Sequence, residues 1–290
     1  MPAAAASSLL CPVCRNRLGI SDTGRSLVCP AGHSFDAAKQ GYFNFLVGKG
    51  TVFEADTADM VAARFDFLSA GHYRPLADAV ADLAAAAHGG AAAQRPTTVL
   101  DAGTGTGHYL RAVLDRLALD LTPVEAIGLD ISKFALRRAA RLNPAAVNIV
   151  SDVWQPLPVA DDAVDVVTVV FAPRNAAEFA RVLRPGGRLV VVTPRPGHLE
   201  EVAGPAGLLG IDPAKDERLA ASLEGHFAAL TADQLDIPLS LTPDDVARLA
   251  LMGPAGHHLD RGALASRTAA LPPLTNVSAR FRLSVFEPRS

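Results

Sequence analysis

All three cysteines of this chain lie within its first thirty residues, at Cys11, Cys14 and Cys29, and His33 follows at once. The spacing C-x2-C-x14-C-x3-H supplies four donors that can converge on one tetrahedral zinc ion. Two tight knuckles present them. Pro12 stiffens the first, and Pro30 and Gly32 shape the second. Between them, Leu18–Ile20 and Ser26–Val28 flank Ser21-Asp22-Thr23-Gly24, the pattern of a short hairpin. Four protein ligands leave no open coordination position, so the expected zinc is structural. A disulfide fits poorly, because the cysteine count is odd and the apolar Met-Pro-Ala-Ala-Ala-Ala start lacks the basic region of an export signal. A module this small, with few large apolar residues, needs the metal in order to fold.

The feature divides the chain. We expect a zinc-binding module over 1–50, a helical linker over 51–72 and a larger domain over 73–290. With 290 residues and 49% apolar content, the second domain can bury a sizeable core. No stretch approaches twenty strongly apolar residues, which argues against a membrane span. Reduced cysteines and no export signal point to the cytoplasm. The net charge of −3 gives no global nucleic-acid signal, so any such contact must be local. The first fifty residues are locally basic, with Arg15, Arg17, Arg25, Lys39 and Lys49 against Asp22 and Asp36.

Beyond the module the fold class reads as α/β. Thr97–Leu100 is a short β-branched run ending in Asp101-Ala102-Gly103-Thr104-Gly105-Thr106-Gly107, and Leu110, Val113, Leu114 and Leu117 then mark one face of a helix. A second strand over 124–131 carries Asp130 near its end and leads into a basic helix over 132–141. A third, 147–150, is followed by Asp152, and 164–171 is apolar throughout, as in a buried central strand. A helix over 175–183 stops at Arg184-Pro185-Gly186-Gly187 before a fifth strand at 188–193. Strands alternating with helices predict a parallel sheet. Residues 234–241 and 277–286 read as final antiparallel strands, with Arg280 and Arg282 alternating outward.

A dehydrogenase loop reads G-x-G-x-x-G and admits a pyrophosphate. Here the pattern is D-x-G-x-G-x-G, which looks like the first motif of class I S-adenosylmethionine-dependent methyltransferases, a Rossmann-like fold with a mostly parallel seven-stranded sheet. That cofactor has a carboxylate, an amine, a ribose and an adenine but no phosphate. The N–H groups of Gly103, Gly105 and Gly107 and the following helix start suit the carboxylate. Asp101 can hold the ammonium side, Asp130 the ribose hydroxyls and Asp152 the adenine amino group. The competing reading is that each acid merely caps the helix after it.

The aromatic run Lys39–Leu46 serves either packing between modules or base stacking, with packing the expected role. Residues 54–70 read as a helix docking through Met60, Phe65 and Phe67. Pro194–Leu199 opens another helix, with His198 facing the cofactor's carboxylate end, and 205–232 reads as an insertion over the cleft. His257 and His258 lack a cysteine or acidic cluster and predict no second metal.

The stretches CPVC, CPAGHSFDAAKQGYFNFL, DMVAARFDFLSAGHYRPL, VLDAGTGTGHY, GLDISKFA, FAP and ARVLRPGGRLVVVTPRPGHL, from residue 11 to about 200, together resemble the 23S ribosomal RNA guanine-N1 methyltransferase family, which includes tylosin- and other macrolide-resistance enzymes. The resemblance implies a zinc-binding RNA-recognition module, an S-adenosylmethionine-binding domain and a homodimer gripping a 23S rRNA hairpin. It places zinc ligands at Cys11, Cys14, Cys29 and His33, and cofactor contacts at Tyr73, Gly107, His108 and His198. Of two neighbouring target guanines, it points to 748 rather than 745. Guanine N1 carries a proton, so methylation needs a proton acceptor or a group that stabilises charge on O6. The edge Phe171-Ala172-Pro173-Arg174-Asn175 has no acid. Arg174 is expected to stabilise O6 and Asn175 to read the base edge. Two alternatives stay open: a small-molecule methyltransferase, and a binding protein for cofactor or RNA without catalysis.

Overall fold

The architecture is built on one twisted sheet whose central strands are apolar on both faces. The computed structural model describes residues 6–48, 50–87, 95–120, 123–208 and 221–289. Near the start, β1 (Gly19–Ile20), β2 (Ser26–Val28) and β3 (Ser34–Asp36) form a small antiparallel sheet in that order. The first two are the hairpin read from the spacing, and β3 extends it. Strand β4 (Tyr42–Asn44) follows. Helices α1 (Ala58–Ser69) and α2 (Arg74–Ala86) lead to β5 (Thr97–Ala102), α3 (His108–Leu119), β6 (Val124–Asp130), α4 (Lys133–Leu142) and β7 (Val147–Val150). Then come β8 (Val164–Val170), α5 (Ala176–Val182), β9 (Leu183–Pro194), α6 (Glu200–Ala206), β10 (Phe227–Leu241), α7 (Pro243–Met252), α8 (Arg261–Ala269) and β11 (Thr275–Pro288).

The large sheet has the order β10-β11-β9-β8-β5-β6-β7-β4. Strands β4 to β9 within it pair in parallel, whereas β11 pairs antiparallel with both β9 and β10. Seven of these strands are the expected set. The eighth is β4, which comes from the segment assigned to the zinc module and lies beside β7, Phe43 opposite Ile149. The two-residue side-chain period explains how it fits. Tyr42 turns to the side of Val61 and Leu136. Phe43 turns to the opposite side and shares a core with Cys11, Leu27, Leu100 and Ile127. The aromatic run therefore packs: Phe43 is fully buried and Phe45 nearly so.

Several boundaries shift for local reasons. Helix α1 begins at Ala58, because the Thr57 side chain accepts from the Met60 N–H and caps it; residues 54–56 are not helical. Pro194 ends β9, residues 196–199 form a turn, and the helix starts at Glu200. Of the expected insertion over 205–232, residues 227–232 belong to β10, and 209–220 lie outside the described residues, as does Lys49. Arg280 and Arg282 alternate with buried Ala279, Phe281 and Leu283 but are themselves half-buried. Among the described residues, no helix is long and apolar enough to cross a membrane.

Candidate functional site

The two knuckles bring Cys11, Cys14, Cys29 and His33 together, with all four ligand atoms within 4.8 Å of one another. Cys14 Sγ lies 3.6 Å from Cys29 Sγ, and Cys29 Sγ lies 3.4 Å from His33 Nδ1. Tetrahedral zinc with ~2.3 Å bonds to sulfur sets its thiolates roughly 3.8 Å apart, so the donor set fits the ion. Burial raises the Cys29 thiol, but hydrogen bonds from the His33 backbone and side chain, from Cys14 and from Ala31 outweigh it and bring the pKa to about 6. Such a thiol gives up its proton readily to a metal. The first knuckle turns through Arg15, held at φ 61°, whose guanidinium donates to the Leu157 carbonyl at 2.7 Å. Leu9 forms an antiparallel bridge with Val159, and Leu10 N–H donates to the Pro158 carbonyl. The metal cluster is thus fastened to the loop after β7.

The second site lies at the carboxyl ends of β5, β6, β7 and β8, where ligands enter open α/β sheets. The loop after β5 is fixed by close approach. Gly103 has φ 82°, and a Cβ there would meet Ala172 Cβ at 2.3 Å; Gly107 has φ 85°, and its Cβ would meet Asn143 Nδ2 at 2.6 Å. The N–H groups of Gly103 and Thr104 both donate to the Leu129 carbonyl, that of Gly105 to Asp130 Oδ2, and that of Gly107 to the Thr104 carbonyl. The three glycine donors expected to meet the cofactor's carboxylate, together with that of Thr104, hold the loop's own shape instead.

The three acids differ. Asp101 is 2% exposed. Its Oδ1 accepts from Thr168 Oγ1 at 2.7 Å, while Oδ2 is buried without a well-formed hydrogen bond, the Thr104 hydroxyl three residues on being its polar neighbour. Burial pushes its pKa up to about 6 against the Thr168 and Thr104 hydroxyls, and Asp130 adds to the rise. An orphaned buried carboxylate oxygen at this loop fits a cofactor's ammonium group. Asp130 accepts from Gly105 N–H and Ser132 N–H, both at 2.8 Å, and burial raises its pKa against those bonds. Asp152 accepts from Thr51 Oγ1 at 2.8 Å and Trp154 N–H at 3.0 Å. Neither acid is the helix cap that competed for these roles: Ser132 caps α4, and a turn rather than a helix follows Asp152. Each carboxylate still has lone pairs for a hydroxyl or an amino group.

Around the loop stands an aromatic wall. Tyr73 is buried, its ring 5.1 Å from both Phe67 and Phe281. His198 packs 4.8 Å from Phe281, with Nδ1 3.0 Å from both the N and the O of Arg280. His108 begins α3 with Nδ1 2.9 Å from Thr106 Oγ1 and Nε2 3.0 Å from Ser69 Oγ. Burial lowers its pKa to about 4, so it is neutral at physiological pH. Tyr73, His198 and the glycine loop thus share one end of the sheet.

Sequence reasoning passed over three residues here. Phe171, directly after β8, stands at φ 55°, 45% exposed, its ring 6.4 Å from Tyr109 and 5.6 Å from Phe281. A bulky residue held in the left-handed region is strained. Its signal was an aromatic at the abrupt end of an apolar strand. Arg64 on α1 places its side chain 3.8 Å from where a Gly105 Cβ would stand, paired with Asp56 and donating to the Met252 carbonyl. Thr51 reaches Asp152 from the junction segment, which no local pattern announces.

Arg174 is partly buried, which lowers its pKa, and makes no hydrogen bond or ion pair among the described residues. Asn175 differs from expectation. Its Oδ1 accepts from Glu178 N–H as the cap of α5, and its Nδ2 donates to the Val153 carbonyl, so both ends of the amide are committed to the backbone rather than aimed at a base.

Residues 9–47 match the family described as RlmA, N-terminal, a zinc ribbon, and residues 99–187 match a methyltransferase domain. A Micromonospora griseorubida protein provisionally named a 23S rRNA (guanine-N(1)-)-methyltransferase is 46% identical over 97% of each chain. The Streptomyces fradiae protein named 23S rRNA (guanine(748)-N(1))-methyltransferase is 44% identical over 97% of this chain and 96% of its own. A Bacillus subtilis protein, provisionally named for the same guanine-N1 reaction, is 34% identical over 68% of this chain and 67% of its own.

Proposed function

The chain belongs to the 23S rRNA (guanine-N1)-methyltransferase family, and from that premise we propose that it methylates N1 of guanosine 748 in a 23S rRNA hairpin, using S-adenosylmethionine. The observation that carries this reading is the near full-length identity to the Streptomyces fradiae protein. The Cys3His cluster and the orphaned Asp101 oxygen at the glycine loop agree with it.

When bound, the cofactor supplies an electrophilic sulfonium methyl. Asp101 Oδ2 would hold its ammonium group, and Asp130 and Asp152 would use their remaining lone pairs for the ribose and the adenine. Tyr73, the Gly107-His108 pair and His198 shape the carboxylate end, with Arg64 as a neighbouring cation. The methyl displacement is in line, so most of the rate comes from alignment. Loss of the guanine N1 proton leaves negative charge shared between N1 and O6; N1 would then take the methyl as the methyl–sulfur bond breaks, and the neutral thioether would leave. Arg174, with no acid to neutralise it among the described residues, donates to O6 and stabilises that charge. The loop 171–175 contains no acid, so the proton leaves to solvent. Phe171 forms the platform on which the unstacked guanine lies.

In this reading residues 1–50 recognise RNA, 51–72 link, and 73–290 bind the cofactor. The chain acts in the cytoplasm as a homodimer and contributes to macrolide resistance. The test is transfer of labelled methyl from S-adenosylmethionine to 23S rRNA from a strain lacking the modification. Label on a small metabolite and not on RNA would favour a small-molecule enzyme. Binding without transfer would favour a non-catalytic protein.

A further inference from the structure

We propose that helix α4 is a phosphate-binding rail for the RNA substrate, running from the cofactor edge to the basic turn around Lys39; the inference rests on the RNA reading above. Over Lys133–Leu142 the helix carries Lys133, Arg137, Arg138 and Arg141 and no acid. Lys133, Arg137 and Arg141 are exposed and spaced by four, so they form one stripe with cations about 6 Å apart along the axis. Such an arrangement opposes helix formation. Like charges at i and i+4 repel, and Lys133 faces the positive end of the helix dipole. Three other arginine-bearing helices relieve this with acids of their own, in Arg74–Asp78, Arg111–Asp115 and Arg248–Asp245. None of the four cations of α4 has an ion pair among the described residues.

The helix is nonetheless firmly seated. Ala135, Leu136 and Ala140 pack against Tyr42, Val61 and Val150. The Ser132 side chain caps its start and also donates to the Asp56 carbonyl. Lys133 Nζ and Arg137 Cζ lie 5.8 and 5.3 Å from the Phe134 ring, which holds both side chains against the surface. The rail has two informative ends. It begins three residues after Asp130 of the cofactor site. Near its other end, a Cβ on Gly41 would lie 4.0 Å from Ala140 Cβ, so the turn that carries Lys39 abuts the helix. A row of evenly spaced, unneutralised cations between the Lys39 turn and the cofactor edge fits a polyanion of regular charge spacing, and the substrate is one.

The test replaces Lys133, Arg137 and Arg141 together by alanine, with K133R/R137K/R141K as the charge-preserving control. Alanine removes the repulsion and favours helix, so the melting temperature is expected to hold or rise. Binding of a 23S rRNA hairpin fragment is measured across a salt series. The slope of log affinity against log salt should fall by about two to three in magnitude for the alanine variant, and stay at the wild-type value for the control. S-adenosylmethionine affinity should not change. An unchanged slope overturns the rail, and so does lost cofactor binding, which would make these residues part of the cofactor site. Wild-type protein that binds the hairpin without methylating it would sink the proposed reaction, while the slopes still decide the rail. Wild-type protein that does not bind RNA overturns both.

Discussion

Asp101 carries one bonded and one unpartnered carboxylate oxygen in a fully desolvated position, and burial sets its pKa at about 6. Between about pH 4 and pH 6 the folded chain therefore holds a proton that the unfolded chain has released. Stability of the cofactor-free protein falls as pH rises through that window, by on the order of 3 kcal/mol. Asp101→Asn should flatten the slope, read from denaturant unfolding at several pH values. Cofactor binding should show the opposite trend. Affinity should rise with pH through about 6 as the carboxylate ionises to meet the ammonium group, and calorimetric titration of the asparagine variant should give a weak, flat profile. Phe171 allows a second separation. Leucine keeps the strained backbone and loses the ring, so stacking worth about 1–3 kcal/mol disappears and kcat/KM for RNA should fall roughly 5- to 150-fold. Cofactor affinity should not move. If Phe171→Leu methylates the hairpin at the wild-type rate, the platform role is wrong.

At the scale of elements, β4 makes the zinc module part of the sheet. Phe43 is fully buried in a core that also holds Leu9, Cys11, Leu27, Leu100 and Ile127. Phe43→Ala should cost about 3–5 kcal/mol. The shared core also changes what metal loss should do. An isolated ribbon would melt alone, leaving the sheet untouched. Here chelation should lower the temperature of a single unfolding transition, and two separate calorimetric peaks would contradict the shared core. The elements were largely legible in advance. The hairpin of the knuckles, the buried strand at 164–170 and the helix after the glycine loop each obey a local period or a local turn. Strand β4 was not legible, because three aromatic and polar residues show no period, and only their pairing with β7 makes them a strand.

For the whole molecule, the four zinc ligands could be read from spacing alone, since donor type and separation nearly define such a site. The acids at the strand ends were found by their place in the βα pattern, but their partners were not. Thr51 meets Asp152 across 101 residues of chain, and Arg64 meets the glycine loop from a helix that the loop sequence does not mention. Asn175 looked like a base reader because of where it stands, and tertiary structure assigned its amide to a helix cap. Those contacts join the junction segment and the linker helix to the carboxyl edge of the sheet. The central claim is that this edge methylates N1 of one guanine. The most direct measurement incubates the zinc-loaded protein with S-adenosylmethionine and unmodified 23S rRNA, then maps the product by reverse transcription. N1 methylation blocks pairing, so a single new stop at guanosine 748 is the predicted result. A stop at a different nucleotide, or labelled RNA with no stop at a guanine, would contradict it.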